Sequence, residues 1–217
     1  MLKKVDKENV ITELEKTGRR YFGKYNKAFA IGTIIKEFEE VKSNDGKILF
    51  YNSQISVKRQ SGKNDIVNIT VPNMLKKYNE YVGKNVQITG QFRSYIRNNR
   101  KRLFLFANTF EIYNEQIPKD ANLVYLEGYL TEKSYTKIAK NVERKLSSFC
   151  IAVRRKDSKR KEDADYINCL AWTDNADLIE SIEPKEKVKM YGRMQSRKVN
   201  GYEVYFITVR NFLWFII

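Results

Sequence analysis

The chain repeats itself, and the repeat limits its folds more than any other feature. Gly90 and Gly192 each follow an alternating run, Val86 and Ile88 in one case and Val188 and Met190 in the other. The offset between them, 192 − 90 = 102, also joins Ser94 to Ser196, Phe104 to Phe206 and Phe110 to Phe212. Upstream the offset falls to 128 − 32 = 96, which pairs Gly32 with Gly128, Val57 with Val153 and Lys58-Arg59 with Arg154-Arg155. The second copy therefore carries longer loops in its middle. Self-similarity at this spacing means two copies of one structural unit. Divided in two, the 217 residues give units of about 100, each large enough to bury a core of its own.

Within each unit, period-two alternation bounded by turn residues predicts strands. In the first they fall near 28–42, 48–59 and 65–71, with turns at Ser43-Asn44-Asp45-Gly46 and Ser61-Gly62-Lys63-Asn64. Pro72 then opens a predicted short helix that places Met74, Leu75, Tyr78 and Tyr81 near one face and stops at Gly83. In the second unit Thr173 or Asp174 is expected to cap a helix carrying Leu178, Ile179 and Ile182, ending before Pro184. Closing hairpins turn at Asn98-Asn99 and Asn200-Gly201, residues suited to positive φ. Five strands with one helix between the third and fourth is the order of an OB-fold. The expectation is an all-β protein with short helices, built as two tandem OB-fold five-stranded Greek-key barrels over 26–116 and 121–217. Residues 1–25 form an N-terminal extension with an amphipathic helix around Val10, Ile11 and Leu14, capped by Asp6.

Charge and residue types then narrow the chemistry. Lys and Arg number 41 against 26 Asp and Glu, a net charge of +15 that draws in polyanions, nucleic acid first. With 0 His there is no imidazole base, no histidine-ordered triad and no histidine metal ligand. Two cysteines, Cys150 and Cys169, are too few for a cysteine-only zinc site and read as reduced core residues. No stretch reaches the roughly 20 apolar residues of a spanning helix, so a cytoplasmic protein with no membrane partner is expected. The acids Glu162, Asp163 and Asp165 raise the thought of a magnesium-dependent nuclease, yet they lie beside Lys159, Arg160 and Lys161, which neutralise them. Neither catalysis nor a cofactor is expected.

The second unit resembles the bacterial and phage single-stranded DNA-binding protein family from Asn122 to Phe212. Four blocks in order carry the likeness: Asn122-Leu-Val-Tyr-Leu-Glu-Gly128-Tyr-Leu-Thr131, Phe149-Cys-Ile-Ala-Val-Arg154-Arg155, Asp165-Tyr-Ile-Asn-Cys-Leu-Ala-Trp172 and Gly192-Arg-Met-Gln-Ser-Arg197. The first unit keeps the strand pattern and Gly90-Gln91-Phe92-Arg93 but lacks the aromatic third-strand block, and is placed through the repeat as a diverged copy. The resemblance implies binding of single-stranded DNA with little base preference, bases lying on aromatic rings and phosphates held by basic side chains. Tyr166 and Trp172 match stacking positions of the family.

Alternation on the third strand turns Ile167, Cys169 and Ala171 inward, leaving Tyr166, Asn168, Leu170 and Trp172 outside. On the fourth strand Tyr191, Arg193, Gln195 and Arg197 are expected to face outward, with Lys198 beside them and Tyr202 across the turn standing in for a ring that Val199 does not supply. The first-unit row is Thr89, Gln91, Arg93, Tyr95 and Arg97. Lys58, Arg59, Arg154 and Arg155, the loop with Lys156, Lys159 and Arg160, and the hairpin with Arg100 and Lys101 complete the expected DNA-binding set. Ile66 and Pro72 replace the two stacking rings in the first unit, so its grip is expected to rest on charge and Tyr95.

An alternative keeps the fold and makes the chain an interaction module of a primosome-like or RNA-binding protein. The family's tetramers imply that a homodimer of this chain would present the same four barrels. The apolar end, Asn211 to Ile217, has none of the acids of the family's tail and is expected to extend the last strand or enter a subunit contact.

Overall fold

The computed structural model describes residues 25–77, 79–97, 100–116, 121–139, 142–155, 163–199 and 201–213. The expected N-terminal helix, the Asn98-Asn99 turn and the last four residues lie outside these. Among the described residues there are twelve strands: β1 (Asn26–Ile34), β2 (Glu39–Lys42), β3 (Ile48–Lys58), β4 (Asn64–Pro72), β5 (Asn85–Arg97) and β6 (Arg100–Ile112) in the first half. The second half holds β7 (Asn122–Leu130), β8 (Tyr135–Ala139), β9 (Arg144–Arg154), β10 (Ala164–Trp172), the helix α1 (Asp174–Ser181), β11 (Lys187–Val199) and β12 (Tyr202–Phe212). Each half closes on itself, through β1 with β3 and parallel β4 with β6 in one, and through β7 with β9 and parallel β10 with β12 in the other.

Two expectations are corrected. The long first strand is broken, because the chain leaves β1 after Ile34 and resumes pairing only at Glu39. The helix expected after Pro72 shrinks to one 3-10 turn, Asn73–Leu75, and Met74 is 85% exposed. Helical spacing misled because Tyr81 enters the barrel from an extended segment, its ring edge-on to Phe38 and tilted on Phe110. Those three rings fill the barrel end that Ala176, Ile179 and Ile182 of the helical segment fill in the second half. That helix starts where expected, at Thr173, although the threonine side chain makes no capping bond.

The repeated glycines have a packing cause. A Cβ at Gly90 would lie 1.9 Å from the Phe106 carbonyl oxygen, and one at Gly192 would lie 2.2 Å from that of Thr208. Both sit at β-bulges in the closing hairpin, where the strands cross at backbone contact. The two halves then join through β1 and β7, antiparallel and in a register that places Ala28 opposite Val124. These two residues are repeat equivalents, since 124 − 28 = 96, so the junction is a self-complementary contact about an approximate twofold axis. Asn26 grips the Phe92 backbone with both amide atoms, and Asn122 does the same to Met194.

Candidate nucleic-acid interface

The same junction decides which basic residues face solvent. Arg59 pairs with Asp65 across the β3–β4 turn, and Arg155 pairs with Asp165 at 2.7 Å across β9 and β10. Each pair docks against the fourth strand of the other half. Asp165, 1% exposed, accepts from the Ser94 backbone N–H at 2.6 Å, while Arg155 donates to the Ser94 carbonyl at 2.7 Å. Arg93 lies 3.9 Å from the same carboxylate. On the other side, with its amide oxygen turned toward the guanidinium groups, Gln195 accepts from Arg59 and Arg193 at 3.1 Å. The low dielectric of such a seam favours networks of this kind when their polar atoms are satisfied.

This arrangement divides the two expected outward rows. Thr89, Gln91 and Gln195 are buried, Arg93 and Arg193 are half-buried, and Arg93 donates to Gln91 at 2.8 Å. Only the distal parts of the rows reach water. Tyr95, 45% exposed, meets Phe104 edge-on, and Arg197 lies over the Phe206 ring at 5.4 Å. Burial of the proximal parts follows from the β1–β7 pairing, which turns the two halves toward each other; strand alternation within one half carries no sign of it.

The open site is a groove of about 460 Å³ on the outer face of the second barrel. Its floor is Ser148 and Cys150 of β9 with Asn168 of β10, and its walls are Tyr135 of β8 and Arg197, Val204 and Phe206 of the β11–β12 hairpin. Tyr135 is 65% exposed. Behind it Trp172 packs against a small apolar cluster of Leu146, Leu170 and Phe206. Tyr166, 50% exposed, stands further along β10, with its backbone N–H donated to Ser94 Oγ at 2.9 Å. The inward set Ile167, Cys169 and Ala171 is buried as the alternation requires. Both cysteines are free, and burial pushes the Cys169 thiol well above its ordinary value.

From the first half, Lys101 reaches this face and donates to Asn168 Oδ1 at 3.0 Å. Lys58, Arg154 and Lys198 are exposed at strand ends. Arg97, Arg100 and Tyr202 lie on the hairpin strands, and Lys156, Lys159, Arg160 and Glu162 fall outside the described residues. Sequence reasoning missed Tyr135 and Phe206 as site residues. Phe206 was signalled by its repeat partner Phe104, whereas Tyr135 sits on a short strand whose period is too brief to read. A second recess, ≈ 610 Å³, is lined by Lys84, Asn85, Ile112, Tyr113 and Asn114 at the far end of the first hairpin, with a single cation. Among the described residues no cluster of acids and cysteines is arranged to hold a metal, and no helix is long and apolar enough to cross a membrane.

Known proteins share this architecture. The wild-type single-stranded DNA binding protein from Thermus aquaticus superposes with a TM-score of 0.67 at 13% identity, covering 87% of this chain and 91% of that one. A deletion mutant of the same protein gives a TM-score of 0.63 at 14% identity, over 87% and 93%. The N-terminal domain of PriB protein from Thermoanaerobacter tencongensis is 32% identical over 42% of this chain and 98% of its own, with a TM-score of 0.37. No curated protein matches the sequence. Residues 121–204 match the model of the Single-strand binding protein family, a span that holds most of the groove, with its tyrosine and its arginine, and stops just short of Phe206. The likeness to the single-strand binding protein family is thus carried by the second barrel.

Proposed function

We propose that the chain binds single-stranded DNA with little base preference, coating and protecting it during replication, recombination or repair in the cytoplasm or during plasmid or phage transfer. The observation that carries this reading is the convergence of Tyr135, Phe206 and Arg197 on one groove of the barrel that matches the family. The exposed rings of Tyr135 and Tyr166 offer π-faces to unpaired bases, with the half-buried Trp172 and the groove-wall Phe206 beside them, and stacking of this kind contributes about 1–3 kcal/mol per base whatever the sequence. Lys101, Arg154, Arg197 and Lys198 supply the phosphate contacts, extended by Lys58, Arg97, Arg100, Lys156, Lys159 and Arg160. Arg59, Arg93 and Arg155 serve a different end, holding the barrels together. Two structures that share the fold are of the single-stranded DNA binding protein from Thermus aquaticus. The reading needs neither catalysis nor cofactor.

Competition among oligo-dT, duplex DNA and RNA at two salt concentrations tests it. Oligo-dT should win clearly over duplex, and log affinity should fall with log salt at about −0.7 per phosphate neutralised. Duplex binding as tight as oligo-dT, or affinity indifferent to salt, would refute the proposal, and a clear preference for RNA would move it to an RNA-binding module.

A further inference from the structure

The two barrels meet a ligand on unequal terms. Gln54 and Asn68 face each other across β3 and β4, as Cys150 and Asn168 do across β9 and β10. These are the same places in the repeat, 150 − 54 = 96 and 168 − 68 = 100. In the first barrel the place is half-buried and capped by a phenol. Gln54 donates to Asn68 Oδ1 at 2.9 Å, and the Tyr205 hydroxyl, arriving on the other half's hairpin, donates to the same oxygen at 3.1 Å. Tyr205 is buried there, and burial pushes its hydroxyl above the ordinary value.

In the second barrel the same place is open and positive. Lys101, arriving on the first half's hairpin, donates to Asn168 and approaches Cys150 Sγ at 3.6 Å while remaining exposed. The residue at the place of Lys101 on the other hairpin is Glu203, since 203 − 101 = 102. A phosphate approaching this place on the second barrel meets an ammonium group; the same place on the first barrel carries the Tyr205 phenol. The rings differ in the same sense. Tyr135 occupies the place of Glu39, 135 − 39 = 96, and Glu39 is already paired with Lys36 at 2.6 Å. Tyr166 and Trp172 stand where the first barrel has Ile66 and Pro72.

We infer that each chain has one single-strand site, on the second barrel, completed by Lys101 of the first, whose own equivalent place is capped by the Tyr205 phenol instead of a cation. The first barrel is thereby a scaffold that lends a cation to its neighbour. This rests on the function proposed above and states where that function resides.

Calorimetric titration with oligo-dT of about six nucleotides, near the short end of what one such barrel covers, tests it. One oligonucleotide should bind per chain. Lys101→Gln should lower the slope of log affinity against log salt by about 0.7, the share of one phosphate contact, with the melting temperature unchanged. Glu203→Gln should leave the slope as it was. Two equivalent oligonucleotides per chain, or an unchanged slope in Lys101→Gln, would overturn the inference while leaving single-strand binding intact. A wild-type chain that takes up no oligonucleotide would instead overturn the function itself, and the inference with it.

Discussion

At the scale of single residues, charge type alone does not separate a DNA contact from a structural tie. Arg155, just past the end of β9, and Arg197 of β11 both belong to the family-matching barrel, but Arg155 is committed to Asp165 and to the Ser94 backbone, while Arg197 covers a ring at the groove. Removing one partner of a buried pair leaves the other uncompensated, at a cost of about 3–5 kcal/mol. Asp165→Ala should therefore lower the unfolding free energy by about 3 kcal/mol, read from urea denaturation, because it strands Arg155 and the Ser94 N–H together. The salt slope of oligo-dT binding should stay that of wild type in conditions where the variant is folded. Unchanged stability would show that the Arg155–Asp165 tie does not hold the seam. From the sequence, Asp165 read as one of three neutralised acids beside a basic loop; its partner on another strand of another barrel leaves no local trace.

Elements were more legible, because strand periodicity and turn chemistry are local. The inward set of β10 and the turns at Gly46 and Gly62 stand in the structure where the residues place them, both glycines with φ of 81°. The helix after Pro72 was misplaced because aromatic residues at helical spacing can equally pack from an extended segment. The junction of β7 with β11 shows a further pairing that spacing cannot reveal. Glu127, buried on β7, is held by Lys187 of β11 and receives the Tyr125 hydroxyl at 3.2 Å, whereas its repeat counterpart is Ile31. Burial pushes the Glu127 carboxyl up, but the hydrogen bond and charge of Lys187 outweigh this and hold it below its ordinary value. A carboxyl depressed in the folded state stabilises above its unfolded pKa, and that contribution is lost as pH falls through the depressed value. Denaturation midpoints should accordingly drop on acidification below about pH 4.3, the unperturbed glutamate value. Glu127→Gln should flatten that part of the profile; an unaltered profile would show that the pair contributes nothing to it.

For the whole molecule, the repeat announced two barrels, and the pairing of β1 with β7 makes them one twelve-stranded body with an approximate twofold axis. That axis is broken where function would need it broken. The seam residues are matched across it, Arg59–Asp65 against Arg155–Asp165, while the outer faces diverge, Glu39 against Tyr135 and Glu203 against Lys101. The matched set ties the barrels together and the divergent set lines the proposed site, so half of that site was readable in the second unit alone and half appeared only when the halves were brought together. The central claim is that an unpaired strand lies across the rings of the second barrel. Ultraviolet crosslinking of the intact chain to oligo-dT, followed by mass-spectrometric mapping of the attached peptides, tests it most directly. The account predicts crosslinks at Tyr135, Tyr166, Trp172 or Phe206; crosslinks confined to peptides of the first barrel would contradict it.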